Sequence, residues 1–365
     1  MARFGTASFF LVAAATTATW TSAFVPASKN IAAVTAPTTT TSLHAIGVLA
    51  KKAKEATLRE YISGGIEDSV MEQYKIIQKA LASDDDDDSP SAAEAGPFQQ
   101  SLTKRKGTIT VIAEYKRKLA DSGYVKGIFD PEILSPEFRE FGASGIAVMA
   151  DEKMGGCTYD DLQSFVEEQR RAKNEVIGSV PVINNDLIID ELQIARSAAY
   201  GCKTVVLQLD ILGDELTAKL IKASRAVNLE VIVSVATKDD AMKAVNELGA
   251  TMISVINVQD MDERAKVIED LNKDESKPTI TTIANINAKN NKGLEEVEDA
   301  WACRDLGFHC VWVGDVLYKS GNNEVEHPGA ILKAMTAKSS LRWASPQAFS
   351  GRGEGATEYL GDILM

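Results

Sequence analysis

The sequence predicts an α/β chain folded as a (β/α)8 TIM barrel with an N-terminal helical extension, and three observations carry that prediction. Eight short apolar runs rich in β-branched residues recur in the body of the chain, at 109–113, 146–149, 180–183, 204–209, 231–235, 252–256, 279–284 and 310–313. Runs of this length bounded by turn residues read as buried strands. Helical stretches separate them, as at 160–173, 190–200, 216–227, 239–248, 262–271 and 294–306. Glycine stands just before five of the strands, as Gly142, Gly178, Gly201, Gly249 and Gly307, where the end of a helix favours a left-handed residue. Eight strand–helix units in about 230 residues match the size of such a barrel. A doubly wound open sheet is the alternative. No Gly-x-Gly-x-x-Gly follows the first strand, which disfavours a dinucleotide fold.

In chain order, residues 1–45 read as an address. Arg3 precedes an apolar, small-residue run at 7–18, and 22–26 reads Ser-Ala-Phe-Val-Pro. A basic start, a short apolar core and a small-residue cleavage site make a signal peptide, and the run is too short to span a bilayer as a mature helix. The segment that follows, to His44, is rich in Ala, Thr and Ser and carries no acid. Ser22-Ala-Phe24 resembles the junction of the bipartite plastid presequences of diatoms and related algae. That resemblance implies a signal plus transit peptide and a plastid, stromal location; secretion is the rival. Losing Arg3 and Lys29 with this segment takes the net charge from −13 to −15. So acidic a chain is not a partner for nucleic acid, and no later run is long enough to hold it in a membrane after processing.

Residues 46–82 have helical periodicity interrupted at Gly64-Gly65, so an N-terminal helical extension is expected there. Residues 83–100 carry five consecutive aspartates at 84–88 among Ser, Pro and Gly, the composition of an acidic disordered linker. Contiguous aspartates lack the spacing of a calcium loop. The barrel is expected over 108–338 and a C-terminal tail over 345–365. Four cysteines show no metal spacing and read as structural thiols. Three histidines are too few for histidine-rich metal chemistry, and His309 borders the last strand as a packed residue. No metal and no cofactor are expected.

The first barrel strand carries the chemistry. Side chains alternate along a strand, so Ile112, Glu114 and Lys116 share one face. A carboxylate and an ammonium at the end of a buried strand are costly unless paired or functional, and barrel sites lie at the C-terminal strand ends. The other ends offer Asp151-Glu152, Asn184-Asn185-Asp186, Asp210, Ser234, Asn257, Asn285 and Gly314-Asp315. Here the chain resembles the indole-3-glycerol-phosphate synthase family. Residues 111–117, Val-Ile-Ala-Glu-Tyr-Lys-Arg, are similar to its first-strand signature. Residues 142–152 resemble its second-strand segment, and Pro-Val-Ile-Asn-Asn-Asp-Leu-Ile-Ile-Asp at 181–190 has the frame of its third.

The resemblance implies closure of a pyrrole ring on an anilino-deoxyribulose phosphate, with loss of carbon dioxide and water, in tryptophan biosynthesis. A small phosphorylated substrate or ligand is the implied partner. By resemblance Lys116 meets the substrate carboxylate and carbonyl, Glu114 orients it, Asn257 holds a hydroxyl and Gly314 gives the phosphate loop its close backbone approach. The departures are as informative. The family's third-strand lysine, a general acid, is Asn185, and its fifth-strand glutamate is Ser234. An arginine is Gln259, the seventh-strand glutamate is Asn285, and the adjoining phosphate-binding serine is Ile286. The Ser-Pro-Ser loop after the first strand is Leu-Ala-Asp at 119–121. Asparagine has no ionisable proton, and losing one general acid or base costs roughly 10²–10⁴-fold in rate. The expectation is therefore a barrel of synthase ancestry with impaired ring closure. Its alternatives are an enzyme retuned to another phosphosugar-like substrate, with Lys116 as the surviving electrophile or Schiff-base candidate, and a non-catalytic ligand-binding or regulatory barrel in the plastid.

Overall fold

A computed structural model describes residues 39–83, 95–103, 108–119, 123–125, 130–258, 260–271, 273, 279–289, 294–318 and 328–337. The aspartate run at 84–88, the tail at 345–365 and Gln259 lie outside the described residues. Eight parallel strands close into one barrel: β1 Thr110–Tyr115, β2 Gly145–Val148, β3 Val182–Asn184, β4 Thr204–Gln208, β5 Glu230–Val235, β6 Met252–Val255, β7 Thr281–Ile286 and β8 Cys310–Val313. Each strand pairs with the next, and β8 returns to β1 through Thr110↔Cys310 and Ala113↔Val313. A helix follows each strand, so every crossover is the βαβ unit that parallel pairing demands. All eight predicted runs are strands, with ends displaced by at most two residues.

The strands read as continuous apolar runs because both faces are covered. Outward residues such as Val111, Ala113 and Val313 pack under the helices. Inward residues fill the barrel as a separate cluster that includes Ile112, Ile183, Ile232, Ile283 and Trp312. Gly201 ends the helix Glu191–Tyr200 at φ 92°, and its N–H bonds to Ser197 O. The left-handed turn it adopts is what the sequence pattern required there.

Among the described residues three helices precede the barrel. Helix α1 spans Thr39–Gly64, starting inside the segment predicted as presequence, and α2 spans Asp68–Ala82. Gly65, at φ 99°, makes the turn between them. α2 packs on the helices Glu191–Tyr200 and Asp214–Ala226 at the barrel's side. The third helix, α3, spans Pro97–Leu102. The linker expected through residue 100 therefore ends earlier, and the reason is burial. Phe98 and Leu102 enter the interior cluster and close the N-terminal end of the barrel. The Phe98 ring lies so close to Gly145 that a β-carbon there would sit 2.9 Å from it. Glu230, first residue of β5, accepts from Phe98 N at 2.7 Å and Gln99 N at 2.9 Å. A carboxylate on the free N–H groups of a helix start is favourable both as a cap and against the helix dipole. Gln99 Nε2 then donates to the carbonyls of Thr251 and Thr279. Along the extension, α1 thus lies at the C-terminal ends of the strands, α2 at the side and α3 at the N-terminal ends. Among the described residues no helix is long and apolar enough to cross a membrane.

Candidate functional site

The strand alternation that fills the barrel also builds the site. Ile112, Ile183, Ile232 and Ile283 face the interior. Two residues further along each strand, Glu114, Asn185, Ser234 and Asn285 face the same interior one level higher, at the C-terminal end. Four of the positions singled out in the sequence therefore share one layer.

Glu114 is 4% exposed. Its Oε1 accepts from Asn185 Nδ2 at 2.8 Å, and its Oε2 accepts from Trp312 Nε1 at 3.3 Å. Lys116 Nζ lies 3.3 Å from the same Oε2 and also pairs with Asp315. Tyr318 O–H donates to the Glu114 carbonyl at 2.9 Å and ties the loop after β8 to β1. Gly314 is where this cluster needs no side chain, since a β-carbon would stand 2.1 Å from Glu114 Oε2 and 3.1 Å from Lys116 Nζ. Burial works against the Lys116 charge, but Glu114 and Asp315 outweigh it and push the ammonium above its ordinary value. An amine held protonated between two carboxylates is a hydrogen-bond donor and electrophile. It is a poor Schiff-base former, since that chemistry needs the free amine.

The opposite wall is neutral. Asn285 Nδ2 donates to Ser254 Oγ at 2.8 Å. Ser254 stands beside Ser234 in the β5–β6 register, and Ser234 beside Gln208 in the β4–β5 register. Asn257 follows β6 in a left-handed conformation, φ 59°, with its residue exposed. Ile286 is buried in the outer cluster, and Leu119 is buried as well. Lys289 is tied to Asp299 at 2.7 Å on the outer helix. Burial pushes the Cys157 and Cys202 thiols up to about 12, so neither is a nucleophile near neutral pH. His309 lies at the far end of the barrel, where its Nδ1 accepts from Thr282 N at 3.1 Å.

Two features were not singled out in the sequence. Asp315 was noted only as a strand-end residue, yet it is the second partner of Lys116. The other is Lys54 on α1, a charge among several in the helical stretch at 46–82 that nothing in the sequence pattern distinguishes. Lys54 is 7% exposed and pairs with Asp151 at 2.7 Å and with Asp186. These carboxylates follow β2 and β3, so α1 lies against the C-terminal end of the barrel strands. Burial opposes the charge on Lys54, but Asp186 and Asp151 hold the ammonium above its ordinary value. The two carboxyls move in opposite senses. Burial pushes the more buried Asp186 up, whereas Asp151, also opposed by burial, is drawn down by Lys54 and by the Met154 and Lys153 N–H groups. Nearby, Tyr61 of α1 stacks on the Arg196 guanidinium at 4.0 Å, and Arg196 covers Tyr159 at 3.8 Å.

Comparison with known proteins bears on the family. The family model described as indole-3-glycerol phosphate synthase matches residues 66–327. A protein of that name from Leptospira interrogans is 31% identical over 165 residues, 45% of this chain and 60% of that protein. Its namesake from Chlorobium luteolum is 29% identical over 232 residues, covering 63% of this chain and 82% of the relative. That from Aquifex aeolicus is 29% identical over 228 residues, with 62% and 81% covered. A closed eight-stranded parallel barrel, a Glu–Lys pair on its first strand and a family match over most of the chain carry one conclusion: the protein belongs to the indole-3-glycerol phosphate synthase family.

Proposed function

We propose that this barrel keeps the ligand-orienting part of the family's site and lacks the proton-transfer part, so that its synthase activity is impaired. Family membership supports tryptophan biosynthesis and a small phosphorylated substrate as the starting point. The observation that carries the proposal is the environment of Glu114. Asn185 stands where the family pattern places a general acid, and its amide is engaged on Glu114 Oε1. An amide has no proton to give at neutral pH. Ser234 and Asn285 are likewise neutral, and the Asn285 amide N–H is engaged by Ser254. Lys116 remains as a charged donor for a carbonyl or carboxylate. Catalytic groups that act together lose function together, so three replacements leave orientation with little chemistry.

The experiment is ring closure by the mature chain on the anilino-deoxyribulose phosphate, followed by indole fluorescence. Wild type should turn over far below a family enzyme. The variant Asn185→Lys/Ser234→Glu/Asn285→Glu/Ile286→Ser should exceed it by at least about a hundredfold, the lower end of what one acid–base group contributes. Robust turnover by wild type would overturn impairment. A binding or regulatory barrel is the second reading, favoured by the Asn185 and Asn285 amide N–H groups being engaged within the protein. We place the protein in a plastid on the strength of the presequence pattern at 1–45. A reporter fused to those residues should enter the plastid of a diatom, and its secretion would refute the location.

A further inference from the structure

Lys54 lies outside the positions that the family resemblance assigns to ring closure, yet it is buried and doubly paired. Its ammonium joins carboxylates from two different strand ends, Asp151 after β2 and Asp186 after β3. Asp186 is 2% exposed and densely held. Its Oδ2 accepts from Tyr159 O–H at 2.9 Å and from Gln193 Nε2 at 3.1 Å, and its N–H donates to Asn184 Oδ1 at 3.0 Å. The neighbouring Asn185 is the residue whose amide fixes Glu114 Oε1, and Glu114 in turn holds Lys116. A second contact of α1 converges on the same carboxylate, because Tyr61 stacks on Arg196 and Arg196 on Tyr159. The chain of contact from α1 to the site is short and continuous: Lys54, Asp186, the β3 backbone, Asn185, Glu114, Lys116.

We propose that Lys54 is a positioning residue for the Glu114–Lys116 pair, acting through Asp186 and Asn185, so that the docking of α1 and the order of the site are one equilibrium. A buried carboxylate without its ammonium moves toward water or toward another donor. Without Lys54, Asp186 and the β3 end that carries Asn185 lose their fixed position, and the hydrogen bond that orients Glu114 loosens. The rest of the barrel stays folded, because the strand ladder and α3 do not depend on α1. Reciprocity follows: whatever steadies Glu114 and Lys116 from the mouth also favours docked α1.

The test reads Lys116 itself and needs no turnover. It rests on Glu114 and Lys116 being the working pair, but a synthase assay that overturned impairment would leave it standing. Reductive methylation of the full chain with formaldehyde and cyanoborohydride, followed by peptide mass spectrometry, gives the reactivity of Lys116 relative to the exposed Lys173. Lys54→Met should raise that ratio about fivefold or more, because a looser Glu114 lets the amine deprotonate more readily, about tenfold per unit of pKa. In an Asn185→Ala background, where the connection is already cut, Lys54→Met should change it less than about twofold. Equal increases in the two backgrounds, or no increase in either, would overturn the proposal. If circular dichroism shows that Lys54→Met does not fold, Tyr61→Leu takes its place. It must show the same pair of results, and otherwise the proposal falls.

Discussion

Removing the Lys116 charge should cost more stability than removing the Glu114 charge, and the structure fixes the size of the difference. Lys116 pairs with both Glu114 and Asp315. Lys116→Met therefore leaves two carboxylates at one end of the barrel without their cation, and the Glu114 side chain is only 6% exposed. Stranding a buried charge costs about 3–5 kcal/mol. Glu114→Gln removes one charge and leaves Lys116 with Asp315. Its side-chain oxygen still accepts from one of Asn185 and Trp312, so one buried donor goes unpaired, a cost of about 1–3 kcal/mol. The double variant Lys116→Met/Glu114→Gln should lie below the sum of the singles, because the second change removes the charge that the first one strands. Urea unfolding of the three variants at pH 7, followed by far-UV circular dichroism, measures all of this. The reasoning is refuted if Glu114→Gln is as damaging as Lys116→Met, or if the two effects simply add.

Two further expectations concern the extension. Asp151→Asn should reduce stability above pH 4 and leave it little changed in stronger acid. Lys54 holds the Asp151 carboxyl below its ordinary 3.8, so its contribution is present above that value and is lost as pH falls through the folded value. Asp186 titrates in the opposite sense, so the quantity to measure is the pH dependence of the difference between variant and parent; a difference that grows toward acid would contradict the assignment. At the other end of the barrel, Glu230→Ala leaves Phe98 N and Gln99 N without their acceptor and should cost about 1–3 kcal/mol in urea unfolding. A cost within measurement error would show that α3 is held by Phe98 and Leu102 alone.

The sequence by itself determined the eight strands, the barrel and the strand-1 pair, because each is written in local pattern. Apolar runs of four to six residues mark strands, glycines mark helix ends, and period-two alternation puts Glu114 and Lys116 on the face of Ile112. Asn185, Ser234 and Asn285 could be placed at strand ends because the apolar runs stop there, and the family resemblance singled them out. The tertiary structure decided who pairs with whom. Asp315 meets Lys116 because β8 closes against β1. Lys54 meets Asp151 and Asp186 because α1 lies against the ends of β2 and β3. Pro97–Leu102 is a plug rather than the end of a linker because Glu230 and the open barrel end receive it. A charge on an amphipathic helix looks the same in sequence whether water or a buried carboxylate faces it. Only closure of the chain, which brings residues 97 positions apart within a hydrogen bond, selects between them.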